Sequence, residues 1–276
     1  GATYDTNVPS QSCALTNANG CDSIAVLNLT INQADTSYTS VTACDSLVWN
    51  GNTYESSGTY SNSYSSSNNN YSMSFDGSDD EITLLSNLTL DSDFCIQGWW
   101  YKAIGSINNV FWTIGDAASG GLELYVGSSG TVTKVWADGL NPVGLRIEAA
   151  SNPSLGSWHH YAVVREAGVV KLYIDGVQDP STWNSTTTFY GDLRVGQEIY
   201  NGGNSSSMWC DGSVDNFEIW ENSLSQQQIQ NYMNCPPTGN EFGLDLYWNF
   251  EEGSGTTAYD QTSNGNNGTI NGATYS

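Results

Sequence analysis

The sequence predicts an all-β protein, and three observations support this fold class. Serine, threonine, asparagine and glycine dominate its polar residues, and 13% of the 276 residues are charged, a composition that favours short strands and turns over helices. Hydrophobic residues make up 38% of the chain, which is enough for a buried core. Short alternating segments separated by turn signals recur, and a single segment has the pattern of a helix. Together these features are typical of an antiparallel β-sandwich or jelly roll.

The first 70 residues predict a small β region followed by a linker. Apolar residues alternate from Ala25 to Ile31, as in a half-buried strand. Asn50-Gly51 is a strong signal for a hairpin turn. Residues 61–70 are almost entirely serine and asparagine. We therefore expect a boundary here, with a Cys-containing β region and linker over residues 1–70 and the sandwich over residues 71–276.

The remainder of the chain predicts a series of strands and one helix. The strands are expected at Phe94–Tyr101, Gly121–Val126, His159–Glu166, Val169–Asp175 and Ser213–Trp220. Ala167-Gly168 and Asp175-Gly176 are turn signals, the first of them inside the clearest hairpin of the sequence. The helix is predicted from about Ser225 to Met233, because Ser225 and Gln228 have the spacing of a capping box.

Six Lys plus Arg stand against 29 Asp plus Glu, for a formal net charge of −23. Such a surface repels phosphate groups, so nucleic acid and anionic membranes are not expected as partners. No apolar run is long enough for insertion into a membrane. The acids form either a solvated acidic surface, which is the commoner case, or ligands for divalent cations.

Six cysteines without a Cys-x-x-Cys pair or a Cys/His cluster predict disulfides in an exported protein. Proximity in sequence suggests the pairs Cys13 with Cys21 and Cys210 with Cys235, although spacing alone leaves the connectivity open. No signal peptide is present, so we expect a processed or excised piece. Gly1-Ala-Thr-Tyr recurs at Gly272-Ala-Thr-Tyr, which suggests one period of a tandem array.

Several short motifs occur in an order and spacing that resemble the laminin-G-like jelly-roll modules of the concanavalin A-like superfamily. They are Met73-Ser-Phe-Asp-Gly, Phe94 with Trp99, Trp158-His-His-Tyr-Ala-Val-Val, Leu172-Tyr-Ile-Asp-Gly-Val, Leu193-Arg-Val-Gly, Asp211-Gly-Ser-Val-Asp-Asn-Phe-Glu-Ile-Trp and Leu224-Ser-Gln-Gln-Gln-Ile-Gln. The resemblance covers about three quarters of the chain. It implies a concanavalin A-like antiparallel sandwich and a secreted bacterial protein.

The C-terminal segment departs from that resemblance. In these modules the stretch Trp248-Asn-Phe-Glu-Glu-Gly-Ser-Gly usually precedes the Phe-Asp-Gly segment, whereas here it follows the helix, as in a circular permutation. Residues 244–276 either fold back to complete their own sandwich or add strands to a neighbouring unit. Folding back is favoured, because consecutive elements usually become neighbours.

Residues 1–60 resemble fragments of small Cys-containing β-repeats from giant bacterial surface proteins. The matching pieces are Asn19-Gly-Cys-Asp-Ser and Ala43-Cys-Asp-Ser-Leu-Val-Trp-Asn-Gly-Asn-Thr-Tyr, in the reverse of the usual order. This resemblance implies a location on the bacterial cell surface and neighbouring repeat units joined head to tail.

The sequence predicts no enzyme. Nothing matches the Glu-x-Asp-x-x-Glu strand of sandwich-type retaining glycosidases. Glu218 and Glu221 are three residues apart and cannot share one face of a regular strand, so we expect both on the surface. His159 and His160 are adjacent and should point to opposite faces, which argues against a two-His metal site.

A calcium ion is the favoured metal hypothesis. Asp260-Gln-Thr-Ser-Asn-Gly-Asn-Asn-Gly offers carboxylate, carboxamide and carbonyl oxygens in one loop, which are ligands that suit Ca²⁺. The candidate ligands are Asp260 and Asn264, with Asp215, Glu252 and Asp80 as partners from other loops. The alternative interpretation is an Asn/Gly turn that binds nothing.

Glycan binding is what the resemblance implies, and sugars stack on exposed aromatic rings. Strand alternation is expected to point four tryptophans inward: Trp99, Trp158, Trp220 and Trp248. Three others lie near Gly/Asn/Ser-rich segments and are the candidates for ligand binding: Trp136, Trp183 and Trp209.

Two functions follow as hypotheses. The first is a non-enzymatic adhesion or recognition module whose partner is a glycan or a surface protein, with Ca²⁺ as its cofactor. The second is a structural repeat unit of an extracellular filament assembled through β-strand contacts. Exposed aromatic side chains grouped in a groove would favour the first, and head-to-tail burial of residues 1–33 or 244–276 would favour the second.

Overall fold

The computed structural model describes residues 8–16, 22–29, 47–49, 52–54, 56, 58, 69–103, 109–116, 120–126, 132–137, 144–150, 153–200 and 203–276. The chain divides into two compact units, residues 1–47 and 48–276. In the first unit, β1 (Val8–Thr16) and β2 (Asp22–Leu29) pair antiparallel, with Cys13 opposite Ala25. Cys21 and the side chain of Cys13 lie outside the described residues, so a Cys13–Cys21 disulfide stays a prediction.

A short hairpin follows, formed by β3 (Leu47–Trp49) and β4 (Asn52–Tyr54). These two strands flank the predicted Asn50-Gly51 turn, whose own residues lie outside the described ones. The predicted linker is described only at Asn69 and Asn70, so the predicted domain boundary stays a prediction.

The sandwich is built from strands distributed over the rest of the chain. The first group of strands is β5 (Met73–Asp76), β6 (Glu81–Leu90), β7 (Phe94–Lys102), β8 (Asn109–Ile114), β9 (Leu122–Val126), β10 (Thr133–Ala137) and β11 (Gly144–Glu148). The second group is β12 (Trp158–Glu166), β13 (Val169–Ile174), β14 (Val177–Asn184), β15 (Phe189–Val195), β16 (Gln197–Tyr200), β17 (Gly203–Trp209) and β18 (Asp211–Trp220). After them come α1 (Gln226–Asn234), β19 (Leu244–Trp248), β20 (Thr257–Ala258), β21 (Gly268–Asn271) and β22 (Thr274–Tyr275).

Two antiparallel sheets form the layers of the sandwich. The sheet that we name the β7 sheet has the strand order β14-β13-β12-β7-β18-β5-β22, and β19 also pairs with β18. The sheet that we name the β6 sheet has the order β11-β10-β9-β8-β15-β6-β21-β20. A separate hairpin consists of β16 and β17. This arrangement confirms the predicted all-β antiparallel sandwich.

The core lies between the two sheets because the inward-facing side chains of both are large and apolar. Trp100 of the β7 sheet stacks on Phe111 of the β6 sheet, with ring centroids 5.2 Å apart. Trp248 packs beside Phe217 at 5.8 Å, and both are fully buried. Trp248 therefore faces inward as predicted.

Two tight turns connect neighbouring strands of the β7 sheet, at the positions that the sequence predicts. Ala167 and Gly168 have φ values of 48° and 77°, and Asp175 and Gly176 have 50° and 71°. Two successive positive φ angles are the signature of the hairpin turn whose twist matches that of the flanking strands. At Gly176 a Cβ atom would lie 2.7 Å from Gln230 Cγ, so this turn touches the helix and has no room for a side chain.

The C-terminal strands fold back onto their own sandwich. β19 pairs with β18, β21 with β6 and β22 with β5. The permuted order of the sequence is therefore accommodated within one chain, as the sequence analysis favours.

The single helix begins where the sequence predicts. Ser225 is its N-cap and forms a reciprocal capping box with Gln228, each side chain satisfying a backbone N–H of the other. Within the part of the chain that the structure describes, no helix is long and apolar enough to cross a bilayer.

The predicted Cys210–Cys235 disulfide is wrong. Cys210 lies fully buried between β17 and β18, whereas Cys235 is exposed at the C-terminal end of α1, and both thiols are free. The two residues are 25 positions apart in sequence. The side chain of Cys210 lies in the core, whereas that of Cys235 faces solvent. Cys95 is a third free, buried thiol.

Candidate functional site

The outer face of the β7 sheet, the one turned away from the β6 sheet, has a covered half. Strand register places Val164, Cys95, Trp220 and Leu244 side by side on four neighbouring strands. All four are buried, together with Leu224 and Ile229 from the segment that contains α1. The ring of Trp220 lies 4.7 Å from that of Tyr232 on the helix. The helix thus covers this half, which forms a second small core.

The other half of the same face is open, and register defines the row of side chains on it. Trp158 is opposite Tyr101, Tyr101 opposite Ser213, Ser213 opposite Ser74, and Ser74 opposite Thr274. We name this set the outer row. It crosses five neighbouring strands, and four interstrand spacings correspond to a length of about 19 Å.

The outer row points to solvent because its neighbours in sequence point into the core. Trp100, Val214 and Ala273, each adjacent to a member of the row, belong to the core cluster. Side chains alternate along a strand, so the members of the row lie on the opposite face. Trp158 is 40% exposed, Thr274 is exposed, and the other three are half-buried.

One end of the outer row is aromatic and the other carries hydroxyl groups. The ring of Tyr101 lies 5.9 Å from that of Trp158, tilted by 54°. In the next cross-strand row, Trp99 contacts His160 edge-on at 5.3 Å. This geometry presents an apolar ring surface beside hydroxyl donors and acceptors on one flat face, which can bind a ligand with both apolar and hydroxylated edges.

A polar clamp holds the start of β12, where Trp158 lies. His159 Nδ1 is 2.8 Å from Asp175 Oδ2, and His159 Nε2 is 3.0 Å from Ser154 Oγ. A hydrolase triad needs an Nε2 that accepts the serine proton. The same nitrogen here also lies 3.1 Å from the Ser154 carbonyl oxygen, to which it can only donate. We therefore interpret the trio as a clamp between the 153–157 loop and the Asp175-Gly176 turn.

The best-formed cavity among the described residues is too small for an organic ligand. It lies between the sheets beside Lys102, Thr133 and Ser154, and it has room for about one water molecule. This cavity is therefore not a site for an organic ligand.

Glu218 is the largest departure from the sequence analysis, which expects it on the surface. It is 2% exposed, and its Oε2 accepts hydrogen bonds from Gln97 Nε2 at 2.6 Å and Trp220 Nε1 at 2.8 Å. Burial raises the pKa of Glu218 to about 8. Glu221, in contrast, is exposed as predicted.

A bulge in β18 brings a second acid to the same face. Asn216 has a φ of 48° and interrupts the register between Asp215 and Glu218, so both carboxylates point outward from the core. Burial raises the pKa of Asp215 to about 7. A pair of glycosidase carboxylates must reach a glycosidic oxygen and its anomeric carbon. These acids are 6% and 2% exposed, so the arrangement is structural.

The predicted calcium ligands are not brought together. Asp260 accepts hydrogen bonds from the backbone N–H groups of Tyr247, Thr262 and Asn266, so its carboxylate holds the shape of its loop. The other candidates have separate partners: Asn264 donates to the Asp245 carbonyl, Glu252 accepts from Tyr259 N, Asp215 accepts from Asn69, and Asp80 accepts from Asp76 N.

In the described part of the chain, one group of three acids has ligand atoms close enough for an ion: Asp76, Asp79 and Asp80. Of the predicted ligands, Asp80 alone belongs to it. The other predicted ligands have hydrogen-bond partners of their own in the described structure, and the predicted five-residue site stays a prediction. Binding of Ca²⁺ itself stays a prediction.

The three predicted ligand-binding tryptophans are half-buried and lie on three different sheets. Trp136 contacts Tyr125 at 6.0 Å on the outer face of the β6 sheet. Trp183 packs between Phe189, 6.0 Å away, and the guanidinium of Arg146, 5.2 Å from its ring. Trp209 pairs with Gln197 in the separate hairpin. They do not form a common site.

Sequence reasoning missed the outer row because it placed Trp158 and Trp99 in the core. Strand β12 is apolar on both faces, so alternation alone leaves open which parity faces inward. Trp220 was also expected inward, and it is buried, but on the outer face beneath α1. The sequence carries one signal for the exposure of Trp158. It directly follows the Gly156-Ser157 loop, and the first residue of a strand has fewer neighbouring elements packed over it.

A family model described as the concanavalin A-like lectin/glucanases superfamily matches residues 76–230. No curated protein matches the sequence. Among solved structures, a candidate carbohydrate-binding protein from Bacteroides ovatus is 17% identical with a TM-score of 0.59, and the match covers 75% of this chain and 59% of that one. The chain thus spans less than two thirds of that relative.

Two further structures are more distant. A heptameric SAP-like pentraxin from Limulus polyphemus is 17% identical, with a TM-score of 0.49 and coverage of 60% of this chain and 82% of that one. A sialidase carbohydrate-binding module from Ruminococcus gnavus, bound to sialyllactose, is 10% identical with a TM-score of 0.42, covering 57% and 95%. At these identities the likeness concerns the fold.

Proposed function

On the premise that this chain belongs to the concanavalin A-like lectin/glucanase superfamily, we propose that it is a non-catalytic extracellular module that binds a glycan on the outer row. The observation that carries the proposal is the exposed ring of Trp158 beside Tyr101, in line with the hydroxyl groups of Ser213, Ser74 and Thr274.

The chemistry of a sugar matches this row. A pyranose ring has a face of C–H groups that packs on an aromatic ring, and a rim of hydroxyl groups that exchange hydrogen bonds with serine and threonine. The row is open and about 19 Å long, so it suits several units of a chain better than one enclosed sugar. The rigid strands hold all five side chains before binding, which lowers the entropic cost of association.

The fold and the buried acids support a binding role over a catalytic one. The Bacteroides ovatus structure, whose description names carbohydrate binding, shares this sandwich architecture. Asp215 and Glu218 are held away from solvent by Asn69, Gln97 and Trp220. A cell-surface location and Ca²⁺ as a cofactor remain parts of the proposal.

The second candidate function is a structural repeat unit of a filament, and one observation favours it. The second copy of Gly-Ala-Thr-Tyr, at residues 272–275, contains β22, which is the edge strand of the β7 sheet. An edge strand presents unpaired backbone groups to which another strand can add. Light scattering and electron microscopy, with and without EDTA, would show head-to-tail fibres if this function were correct.

A glycan array, followed by calorimetry on the strongest binder, tests the glycan proposal. Trp158→Ala should weaken affinity about tenfold or more, because it removes the stacking surface. The control is Tyr190→Ala, which removes a ring that is 64% exposed on the β6 sheet, and it should bind as the wild type does. Failure of the wild type to bind any glycan, or full affinity in Trp158→Ala, would overturn the proposal.

A further inference from the structure

We infer that the glycan bound by the outer row is uncharged, and that sialylated, uronic-acid-containing and sulfated glycans are rejected. This inference rests on the proposed function and specifies its ligand. It depends on the position of every Lys and Arg side chain. All six of these residues lie in the described part of the chain: Lys102, Lys134, Arg146, Arg165, Lys171 and Arg194.

Proteins recognise carboxylate and sulfate groups mainly through Arg and Lys side chains, with Arg forming paired hydrogen bonds. On a surface made of strands, away from a helix N-terminus or a bound cation, such a side chain within hydrogen-bond reach is the main source of affinity for an anionic glycan. None of the six cations lies on the open half of the β7 sheet.

Three cations belong to the β6 sheet, on the other side of the sandwich. Arg194 of β15 forms an ion pair with Glu81 at 2.8 Å. Arg146 of β11 lies over the Trp183 ring and donates to the Ala137 carbonyl at 3.1 Å. Lys134 is on β10, at the far end of that sheet. Arg194 and Lys134 are therefore on the other side of the sandwich from the outer row, whereas Arg146 is held against Trp183 of β14, whose side chain packs against the core.

Two cations of the β7 sheet point inward. Arg165 is 2% exposed and donates to the carbonyl groups of Leu90, Ser92 and Thr187. Lys102 is 5% exposed and lines the cavity between the sheets. Although Lys102 follows Tyr101 directly, the strand itself lies between its ammonium group and a ligand on the outer row.

The last cation, Lys171, does lie on the outer face but in the covered half. It pairs across strands with Val164, six residues along β12 from Trp158, which corresponds to about 20 Å. Its ammonium group forms an ion pair with Glu166 at 2.5 Å. At this distance, more than twice the screening length of physiological salt, it contributes little to an anion at Trp158.

The charges that do surround the outer row are negative. Asp211 and Asp76 lie opposite each other, two residues along β18 and β5 from Ser213 and Ser74 and therefore on the same face, and Asp175 is beside the start of β12. The chain carries a net charge of −23. An anionic sugar would leave its hydration shell to enter a repulsive field without a partner, and this cost is several times that of an uncharged sugar.

The experiment uses matched pairs of glycans that differ by one charged group. Each pair has the same oligosaccharide with and without sialic acid, a uronate or a sulfate, and binding is measured by calorimetry in EDTA and again with Ca²⁺. The uncharged member should bind, and the anionic member should bind about tenfold more weakly or worse. Equal or tighter binding of an anionic member, with or without Ca²⁺, would overturn the inference while leaving the proposed function intact.

A gain-of-function variant provides a second test that does not depend on loss of folding. Ser213→Lys places an ammonium group in the outer row, and it should raise the affinity for the anionic member of a pair about tenfold. Ser213→Gln, of similar length and without charge, is the matched control. If neither member of any pair binds the wild type, the proposed function itself fails, which is a different outcome from a preference for anions.

Discussion

The two halves of the outer face of the β7 sheet are built on the same strands, yet they serve different purposes. In the covered half, Trp220 and Glu218 are buried beneath α1. In the open half, Trp158 and Tyr101 face solvent beside serines and a threonine. The comparison shows that the outward-facing residues of a strand take their role from what lies over them.

The physical cause of the difference is the short segment after β18. The capping box at Ser225 starts α1, and the helix brings Ile229 down onto Trp220 and Cys95. The helix has 9 residues, a length of about 14 Å, so it covers one end of the strands only. The other end is left open to solvent.

Truncation of Trp220 and of Trp158 should give the largest difference in stability between the covered half and the open half. We expect Trp220→Ala to lower the free energy of unfolding by about 3–5 kcal/mol, because it opens a cavity and removes one of the two hydrogen-bond donors to Glu218. Trp158→Ala should lower it by less than about 1 kcal/mol, since that ring is partly solvated. Urea denaturation followed by circular dichroism measures both. Similar losses in the two variants would contradict the division of the face into halves.

The pH dependence of stability should come from the covered half. The folded-state pKa of Glu218, about 8, lies above its ordinary value of 4.5. The folded protein therefore keeps a proton that the unfolded chain loses, and stability falls as pH rises from about 4.5 to about 8. The slope from this one group is at most about 1.4 kcal/mol per pH unit.

Glu218→Gln should remove that slope, because glutamine keeps the acceptor oxygen and does not ionise. Asp215, whose pKa is raised to about 7, will retain a contribution of the same sign. Glu221→Gln, at an exposed acid three residues away, is the control and should leave the profile unchanged. Denaturation midpoints measured from pH 5 to pH 8 decide the matter, and an unaltered slope in Glu218→Gln would show that Glu218 ionises freely.

A smaller effect is expected from the cap of α1. Ser225→Ala removes the side-chain acceptor of the capping box and should cost about 1 kcal/mol. Because the helix covers Trp220, hydrogen exchange should accelerate at the Trp220 end of β18 and in β19 more than around the outer row. Ser263→Ala, at an exposed loop serine, serves as the control. Uniform acceleration over both halves would argue that the cover and the sheet unfold as one unit.

Much of the fold was predictable from local patterns. The Ala167-Gly168 hairpin, the capping box at Ser225 and the strand at Ser213–Trp220 all occur as expected. These features depend on residues close in sequence, whose φ preferences and hydrogen bonds act without the rest of the molecule. The separate faces of His159 and His160 also follow from strand alternation, with His160 buried and His159 in the clamp.

The candidate site was not predictable in the same way. Trp158 was assigned to the core and Glu218 to the surface, and both assignments are wrong. The Asn216 bulge changes the parity of β18, and a bulge of this kind has no clear sequence signal outside its tertiary context. The Cys210–Cys235 pair was likewise inferred from proximity in sequence, which does not report where side chains point.

The sequence by itself determined that this chain forms a negatively charged, antiparallel β-sandwich with tight turns and one capped helix, because composition, alternation and turn residues act locally. Tertiary structure alone decided which outward-facing residues are covered and which are open. That choice depends on where α1 and residues 244–276 come to rest on the β7 sheet, and these contacts join residues far apart in the chain.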